Sequence, residues 1–141
     1  MSGPKRTRSA ARSKGHILLL VDDVAEVRLV LAEVLVRAGF AVVEASNGHE
    51  AVVKARTLKP DVVVMDVSLP LLDGVAAARI IRSADGTQDV PIIALTGRAG
   101  GHFDEHAFDG VLRKPCTPDV LLQRIDTLLE KRHRARSRGD S

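Results

Sequence analysis

The feature that most constrains the fold is a repeated alternation between short apolar runs and segments of helical periodicity. The runs LLLV at 18–21, VVVM at 62–65 and IIAL at 92–95 are apolar at every position. Strands of this kind are buried on both faces, as in a parallel sheet covered by helices. Between the runs, apolar residues recur at spacings of three and four, which is typical of amphipathic helices. The alternation therefore predicts an α/β fold.

The predicted fold class is a doubly wound, five-stranded parallel sheet with helices on both faces. Residues 97–109 leave room for only a turn or two, so the helix of the fourth βα unit is expected to be short or irregular. The predicted strands are 17–21, 40–45, 61–65, 91–95 and a weak 110–112, and the predicted helices are 25–38, 48–58, 74–82 and 118–131.

Charge divides the chain into an acidic middle and two basic ends. Of the 21 Lys and Arg residues, five precede residue 17 and five follow residue 130, whereas 17 of the 18 Asp and Glu residues lie within 17–130. That segment therefore carries a formal charge of −6. We expect one domain at 16–130 with flexible basic tails at 1–15 and 131–141.

Composition narrows the function classes. The chain has three Phe, no Trp and no Tyr, so it lacks the aromatic platforms on which bases stack, and specific nucleic-acid binding is not expected. The single cysteine permits no internal disulfide and fits a reducing compartment. No apolar run approaches the roughly 20 residues of a membrane span. A cytoplasmic protein is expected.

Polar residues follow four of the predicted strands. Asp22 and Asp23 follow the first strand, Asp66 the third, Thr96 the fourth and Lys114 the fifth. In open parallel sheets ligands bind beyond the carboxyl ends of the strands, so these side chains are expected to share one edge. Singly, each has an ordinary explanation: Asp22 or Asp23 could cap the following helix, and Lys114 could be a solvated surface lysine. Their joint placement favours a functional site.

The chemistry of such a set is coherent. Three clustered carboxylates cannot all stay ionised without compensation. A hard divalent cation provides it, and oxygen ligands favour Mg²⁺ or Ca²⁺. A carboxylate can itself be the nucleophile and form an aspartyl phosphate. A metal, an ammonium and a hydroxyl could then each take one oxygen of the phosphoryl group.

The segments ILLLVDDVAEVR, DVVVMDVSLPLLDG, PIIALTG and GVLRKP occur in this order. Together they resemble the receiver domain of bacterial two-component response regulators, over about residues 16–130. The resemblance implies a flavodoxin-like sheet with strand order 2-1-3-4-5. No output domain follows the segment, so a stand-alone receiver is expected.

The resemblance also implies a role for each residue of the site. Asp66 would be the phosphoacceptor. Asp23, Asp66 and the backbone carbonyl of Ser68 would bind Mg²⁺, and Asp22 would assist through water. Thr96 would hydrogen-bond the phosphoryl group, and Lys114 would pair with it. The peptide bond between Lys114 and Pro115 would be cis.

The implied phosphoryl donor is a phosphohistidine on a sensor histidine kinase or a phosphotransfer protein, and the downstream partner is a protein of unknown identity. Such a chain promotes its own phosphorylation and dephosphorylation and is not otherwise an enzyme. The family usually has Tyr or Phe three residues before the lysine, where this chain has Val111. We therefore hypothesise output through a remodelled 97–109 loop, or a role mainly as a phosphate acceptor or relay.

Two other functions stay open at the level of the sequence. An aspartate-nucleophile phosphatase of the haloacid dehalogenase type would carry D-x-D after its first strand, and neither Asp22-Asp23-Val24 nor Asp66-Val67-Ser68 has that spacing. A nucleic-acid-binding protein with basic tails on a receiver scaffold would bind DNA with a steep dependence on salt.

Overall fold

The computed structural model describes residues 15–67, 73–97 and 105–139. Within them the secondary structure follows the predicted alternation. The strands are β1 (Ile17–Val21), β2 (Ala41–Ala45), β3 (Val62–Asp66), β4 (Ile92–Thr96) and β5 (Gly110–Arg113), and the helices are α1 (Ala25–Arg37), α2 (Gly48–Leu58), α3 (Gly74–Ser83) and α4 (Pro118–Gly139). Between β4 and β5 the described residues hold one 3₁₀ turn, Glu105–Ala107.

The strands form a single parallel sheet in the order β2-β1-β3-β4-β5. This confirms the predicted fold class and strand order. The sequence order changes direction at β1 and β3, which are neighbours in the sheet. Because ligands of such sheets bind at the carboxyl ends of strands near this reversal, the ends of β1 and β3 are the expected location of a site.

The core has two layers, one on each face of the sheet. Side chains alternate along each strand, so that Leu19 and Val21 face α2 and α3 whereas Leu18 and Leu20 face α1 and α4. Every residue of β3 and β4 is buried. Because both faces of the sheet are covered, these strands are apolar at consecutive positions.

The last helix, predicted at 118–131, continues to Gly139, so residues 131–139 of the expected basic tail are helical. The buried stripe of this helix passes from Leu121, Ile125 and Leu129 to Arg132. The Arg132 Nη1 atom donates to the backbone oxygen of Asp61 at 2.9 Å. A basic run is thus helical because its arginines meet acceptors on the domain.

No helix among the described residues is both long and apolar enough to span a membrane.

Candidate functional site

Three carboxylates converge at the carboxyl ends of β1 and β3. Asp22 and Asp23 directly follow β1, and Asp66 is the last residue of β3. The register of the sheet pairs Val21 with Met65, which brings the two strand ends side by side. One carboxylate oxygen from each of the three aspartates lies within 4.8 Å of the other two. The predicted acidic cluster is therefore present.

Asp22 is fixed by hydrogen bonds of its own loop and does not cap α1. It is 1% exposed, and its Oδ1 accepts a hydrogen bond from the backbone N–H of Val24 at 2.9 Å. The N-cap of α1 is Val24, which makes no side-chain cap hydrogen bond. The capping explanation for the acidic pair is thus wrong. The Oδ2 atom of Asp22 is buried and has no hydrogen-bond partner among the described residues.

Lys114 faces this cluster from the end of β5. Its Nζ atom lies 3.5 Å from Asp66 Oδ2 and 3.6 Å from Asp22 Oδ2. These distances are those of an ion pair at the limit of a hydrogen bond rather than of a tight one. The peptide bond between Lys114 and Pro115 is cis, as the resemblance implies. One ammonium is therefore shared between two carboxylates.

Thr96 ends β4 at the same edge of the sheet. It is 5% exposed, and its backbone oxygen accepts a hydrogen bond from the N–H of Lys114 at 2.8 Å. The register places Asp66 opposite Leu95, one residue before Thr96. The hydroxyl is thus carried by a strand between those that carry Asp66 and Lys114. Ser68, the expected backbone ligand, lies outside the described residues.

The donor set fits a hard divalent cation. Three carboxylates and one ammonium leave an excess of two negative charges in a region where two of the carboxylates, Asp22 and Asp66, are buried. Carboxylates at such distances repel strongly where water is scarce. The Oδ2 of Asp22 accepts no hydrogen bond from the described residues, and a metal-bound water would satisfy it. An all-oxygen set of this charge is suited to Mg²⁺.

Sequence reasoning missed the role of Gly74 at this site. A Cβ atom on Gly74 would lie 2.5 Å from the backbone oxygen of Asp66 and 2.9 Å from the Cα of Val67. The amide of Gly74 also donates to the oxygen of Val67 at 3.0 Å. The start of α3 therefore packs directly on the backbone of the central aspartate. The LLDG segment was a usable signal, because a glycine soon after a site residue often marks a close backbone approach.

The valine at the position where an aromatic residue was expected is part of the core. Val111 is partly buried and packs against the layer on the α2 and α3 face, which also contains Ala107 and Phe108. Its partner in the sheet is Ala94. A small aliphatic side chain therefore packs in the core at the position where the family usually has Tyr or Phe. Most of the 97–109 loop lies outside the described residues.

The chain belongs to the response regulator receiver domain family, whose model matches residues 18–126. It is 33% identical to the chemotaxis protein CheY of Bacillus subtilis, with 81% of this chain and 98% of CheY covered. It is 44% identical to a protein-glutamate methylesterase/protein-glutamine glutaminase of Archaeoglobus fulgidus. That match covers 81% of this chain but 33% of the methylesterase, so it concerns one part of that protein.

Solved structures agree with this assignment. A putative response regulator from Chloroflexus aurantiacus is 34% identical with a TM-score of 0.76, and the match covers 83% of this chain and 99% of that one. The receiver domain of the sensor histidine kinase PA1611 from Pseudomonas aeruginosa is 30% identical with a TM-score of 0.76, covering 82% and 98% of the two chains. That receiver domain has a magnesium ion coordinated in its active-site cleft.

Proposed function

We propose that this protein is a phosphoacceptor response regulator, in which Asp66 accepts a phosphoryl group in a Mg²⁺-dependent reaction. The observation that carries the proposal is the cluster at the ends of β1 and β3. There Asp22, Asp23 and Asp66 bring carboxylate oxygens within 4.8 Å of one another, and Lys114 Nζ lies 3.5 Å from Asp66. Membership in the receiver family and the magnesium ion of the PA1611 receiver support it.

Asp66 is the nucleophile in this proposal. An oxygen of its carboxylate forms a bond to phosphorus while the bond between phosphorus and the imidazole nitrogen of a phosphohistidine breaks, and the histidine leaves with the electron pair. Asp23, Asp66 and the carbonyl of Ser68, with Asp22 acting through water, would hold Mg²⁺, which would neutralise charge on the incoming phosphoryl oxygens. Lys114 pairs with a second oxygen, and this pairing replaces its present contact with Asp66.

The hydroxyl of Thr96 donates to a third phosphoryl oxygen. Its backbone is tied to Lys114 through the hydrogen bond between the Lys114 amide and the Thr96 oxygen. The backbone segments that carry these two side chains are therefore joined directly. The proposed reaction is a single transfer to the protein itself, and hydrolysis of the resulting acyl phosphate returns the starting carboxylate.

The phosphodonor is a sensor histidine kinase or a phosphotransfer protein. A groove of about 460 Å³ runs beside Lys114 between α1 and the start of α4, and its walls are mostly apolar. Val30, which lines it, is 64% exposed, and Val27 is 39% exposed. An apolar surface next to a reactive carboxylate suits a helix that presents its histidine to Asp66. A cytoplasmic location follows from donors of this kind.

Docking is tested by placing a charge in the groove. Val30→Asp is expected to slow transfer from a histidine phosphotransfer protein about tenfold or more while leaving transfer from acetyl phosphate unchanged, because only the protein donor needs the surface. Val53→Asp is the matched control, since Val53 is 51% exposed on α2. Equal effects of the two substitutions would remove the groove from the proposal.

The phosphorylation itself is tested by intact-mass spectrometry after incubation with acetyl phosphate. The wild type is expected to gain one phosphoryl group with Mg²⁺ and none with chelator, and Asp66→Asn is expected to gain none. Asp85→Asn is the matched control, because Asp85 is an exposed carboxylate in the turn after α3. A gain that is independent of Mg²⁺, or that persists in Asp66→Asn, would contradict the proposal.

A further inference from the structure

Arg28 joins the acidic loop to the neighbouring strand β2. It lies in the first turn of α1, and its side chain is 18% exposed. The Nη1 atom donates to the backbone oxygen of Asp22 at 2.7 Å, and the Nε atom donates to Glu44 Oε1 at 2.9 Å. Glu44 is on β2. One guanidinium therefore fixes the end of β1 relative to α1 and β2.

The partners of this guanidinium are unexpected for a cation so close to three carboxylates. Coulomb attraction alone would draw Arg28 to the side chains of the acidic cluster, where it would occupy the place of a metal. Instead its hydrogen bonds go to a carbonyl and to Glu44. Glu44 neutralises the arginine and orients it. The carboxylates of the cluster are thereby left for another cation.

The contact with Arg28 completes the restraint of Asp22. The amide of Asp22 donates to the oxygen of Ala45 at 3.1 Å, and its Oδ1 accepts from the amide of Val24 at 2.9 Å. With its carbonyl held by Arg28, the residue has one carboxylate oxygen, Oδ2, without a hydrogen-bond partner among the described residues. A loop that carries mutually repelling charges would otherwise relax away from the compact arrangement.

We propose that Arg28, oriented by Glu44, is a positioning residue that holds the Asp22–Asp23 loop in its metal-binding geometry before the metal arrives. This inference rests on the proposed function, since it assigns a residue to the same site. A preorganised loop binds more tightly because less ordering remains to be done on binding. Groups that hydrogen-bond the ligand-bearing segment typically change metal affinity by about 10–100-fold.

The test is a calorimetric Mg²⁺ titration of the full chain, combined with amide hydrogen exchange of the metal-free protein. Arg28→Ala is expected to weaken Mg²⁺ binding about tenfold. It should also speed exchange of the Val24 amide. Arg37→Ala is the matched control, because Arg37 pairs with Glu33 on the same helix with 79% of its side chain exposed. It is expected to change neither quantity.

Two further variants separate positioning from general damage to the fold. Arg28→Lys keeps one cation but cannot bridge both acceptors, and its Mg²⁺ affinity is expected to lie between those of the wild type and Arg28→Ala. Glu44→Gln retains Arg28 but removes the negative charge that orients it, so the guanidinium can turn toward the carboxylates of the cluster. This variant is therefore also expected to weaken Mg²⁺ binding. At saturating Mg²⁺ the rate of phosphorylation by acetyl phosphate should return to the wild-type value in Arg28→Ala.

The inference is overturned if Arg28→Ala binds Mg²⁺ within about twofold of the wild type with unchanged exchange at Val24. It is also overturned if acetyl phosphate phosphorylates Arg28→Ala more slowly than the wild type at saturating Mg²⁺. A wild type that neither binds Mg²⁺ nor gains a phosphoryl group would refute the proposed function instead. In that case the exchange of the Val24 amide still reports on whether Arg28 orders the loop.

Discussion

Aspartates lie at both edges of the sheet, but their charges are compensated differently. At the amino edge Asp61, Asp89 and Asp109 each contact an arginine, and the pairs include Arg82 with Asp109 at 2.6 Å and Arg136 with Asp89 at 3.0 Å. At the carboxyl edge Asp22, Asp23 and Asp66 cluster, and one lysine, Lys114, pairs with Asp22 and Asp66. Among the described residues, each of the three carboxylates at the amino edge is therefore neutralised by an arginine. The other has an excess of negative charge that favours an external cation.

The difference distinguishes charges that hold a fold from charges that serve a site. The carboxylate of Asp109 also accepts the amide of Ile92, so it fixes the start of β4 as well as pairing with Arg82. Asp22 has a buried oxygen, Oδ2, that accepts no hydrogen bond from the described residues and has only the looser contact with Lys114 at 3.6 Å. A buried acceptor left unsatisfied costs stability, and this cost is retained where function needs the group.

The largest expected effect follows from removing Lys114, the cation that pairs with Asp22 and Asp66 at the carboxyl edge. Lys114→Met should slow phosphorylation by acetyl phosphate about 100-fold at saturating Mg²⁺, because a donor to the transferred phosphoryl group is lost. The same substitution should tighten Mg²⁺ binding, since the carboxylates no longer share an ammonium. Time courses by intact mass and a Mg²⁺ titration measure both. Lys131→Met, on the exposed face of α4, is the control. Weaker Mg²⁺ binding in Lys114→Met would contradict the comparison.

The next effect concerns the packing beneath the carboxyl edge. Gly74→Ala should destabilise the protein by about 1–3 kcal/mol, because its methyl group meets the backbone of Asp66 and Val67. The higher helix propensity of alanine offsets at most about 1 kcal/mol of this. Phosphorylation should slow as well. Gly97→Ala is the control for urea unfolding, because among the described residues its Cβ would approach no atom more closely than Lys114 Cδ, at 4.0 Å. Equal stability of the two variants would show that the strand end tolerates displacement.

A pair of substitutions compares the two edges directly. In metal-free protein Asp23→Asn should raise the free energy of unfolding by about 0.5–1 kcal/mol, because it relieves repulsion among the clustered carboxylates. Arg132→Ala should lower it by about 1–3 kcal/mol, because its side chain is 11% exposed and its hydrogen bond to Asp61 is lost. Mg²⁺ should stabilise the wild type more than Asp23→Asn. Effects of the same sign without metal would break the comparison.

The smallest effect is a pH dependence at the amino edge. Burial acts to raise the pKa of Asp89, but hydrogen bonds and charges from Arg136 and Arg132 outweigh it, so the pKa lies below its ordinary value of 3.8. A depressed pKa in the folded state gives stability that is present above pH 3.8 and is lost as the pH falls through the lower folded value. Urea unfolding at pH 5 and pH 3 should show a smaller loss for Asp89→Asn than for the wild type. An equal loss would mean that the pairs contribute nothing.

The sequence was sufficient to predict the sheet and the edge at which four polar residues lie. Continuous apolar runs predicted the strands, and the residues that follow them, Asp22, Asp66, Thr96 and Lys114, lie at the predicted edge because parallel strands end together. The structure brings Lys114 Nζ within 3.5 Å of Asp66 Oδ2 and 3.6 Å of Asp22 Oδ2, as this common edge predicts. The metal role of Ser68 stays a prediction, since that residue lies outside the described part of the chain.

What the sequence did not predict depends on contacts between distant segments. The basic run after residue 130 was interpreted as a solvated tail from its composition, because nothing local shows that Arg132 meets Asp61 or that Arg136 meets Asp89. The role of Arg28 was missed for a related reason. It acts on a backbone carbonyl and on Glu44, 16 positions away, and neither leaves a local pattern.

The central claim is that Asp66 accepts the phosphoryl group, and chemical trapping tests it most directly. Borohydride reduces an aspartyl phosphate to homoserine, and tandem mass spectrometry of the digested protein then identifies the position. After incubation with acetyl phosphate and Mg²⁺, homoserine is expected at residue 66 and at no other aspartate, and it should be absent when Mg²⁺ is chelated. Homoserine at residue 22 or 23, or an unmodified residue 66 in protein that has gained a phosphoryl group, would contradict the account.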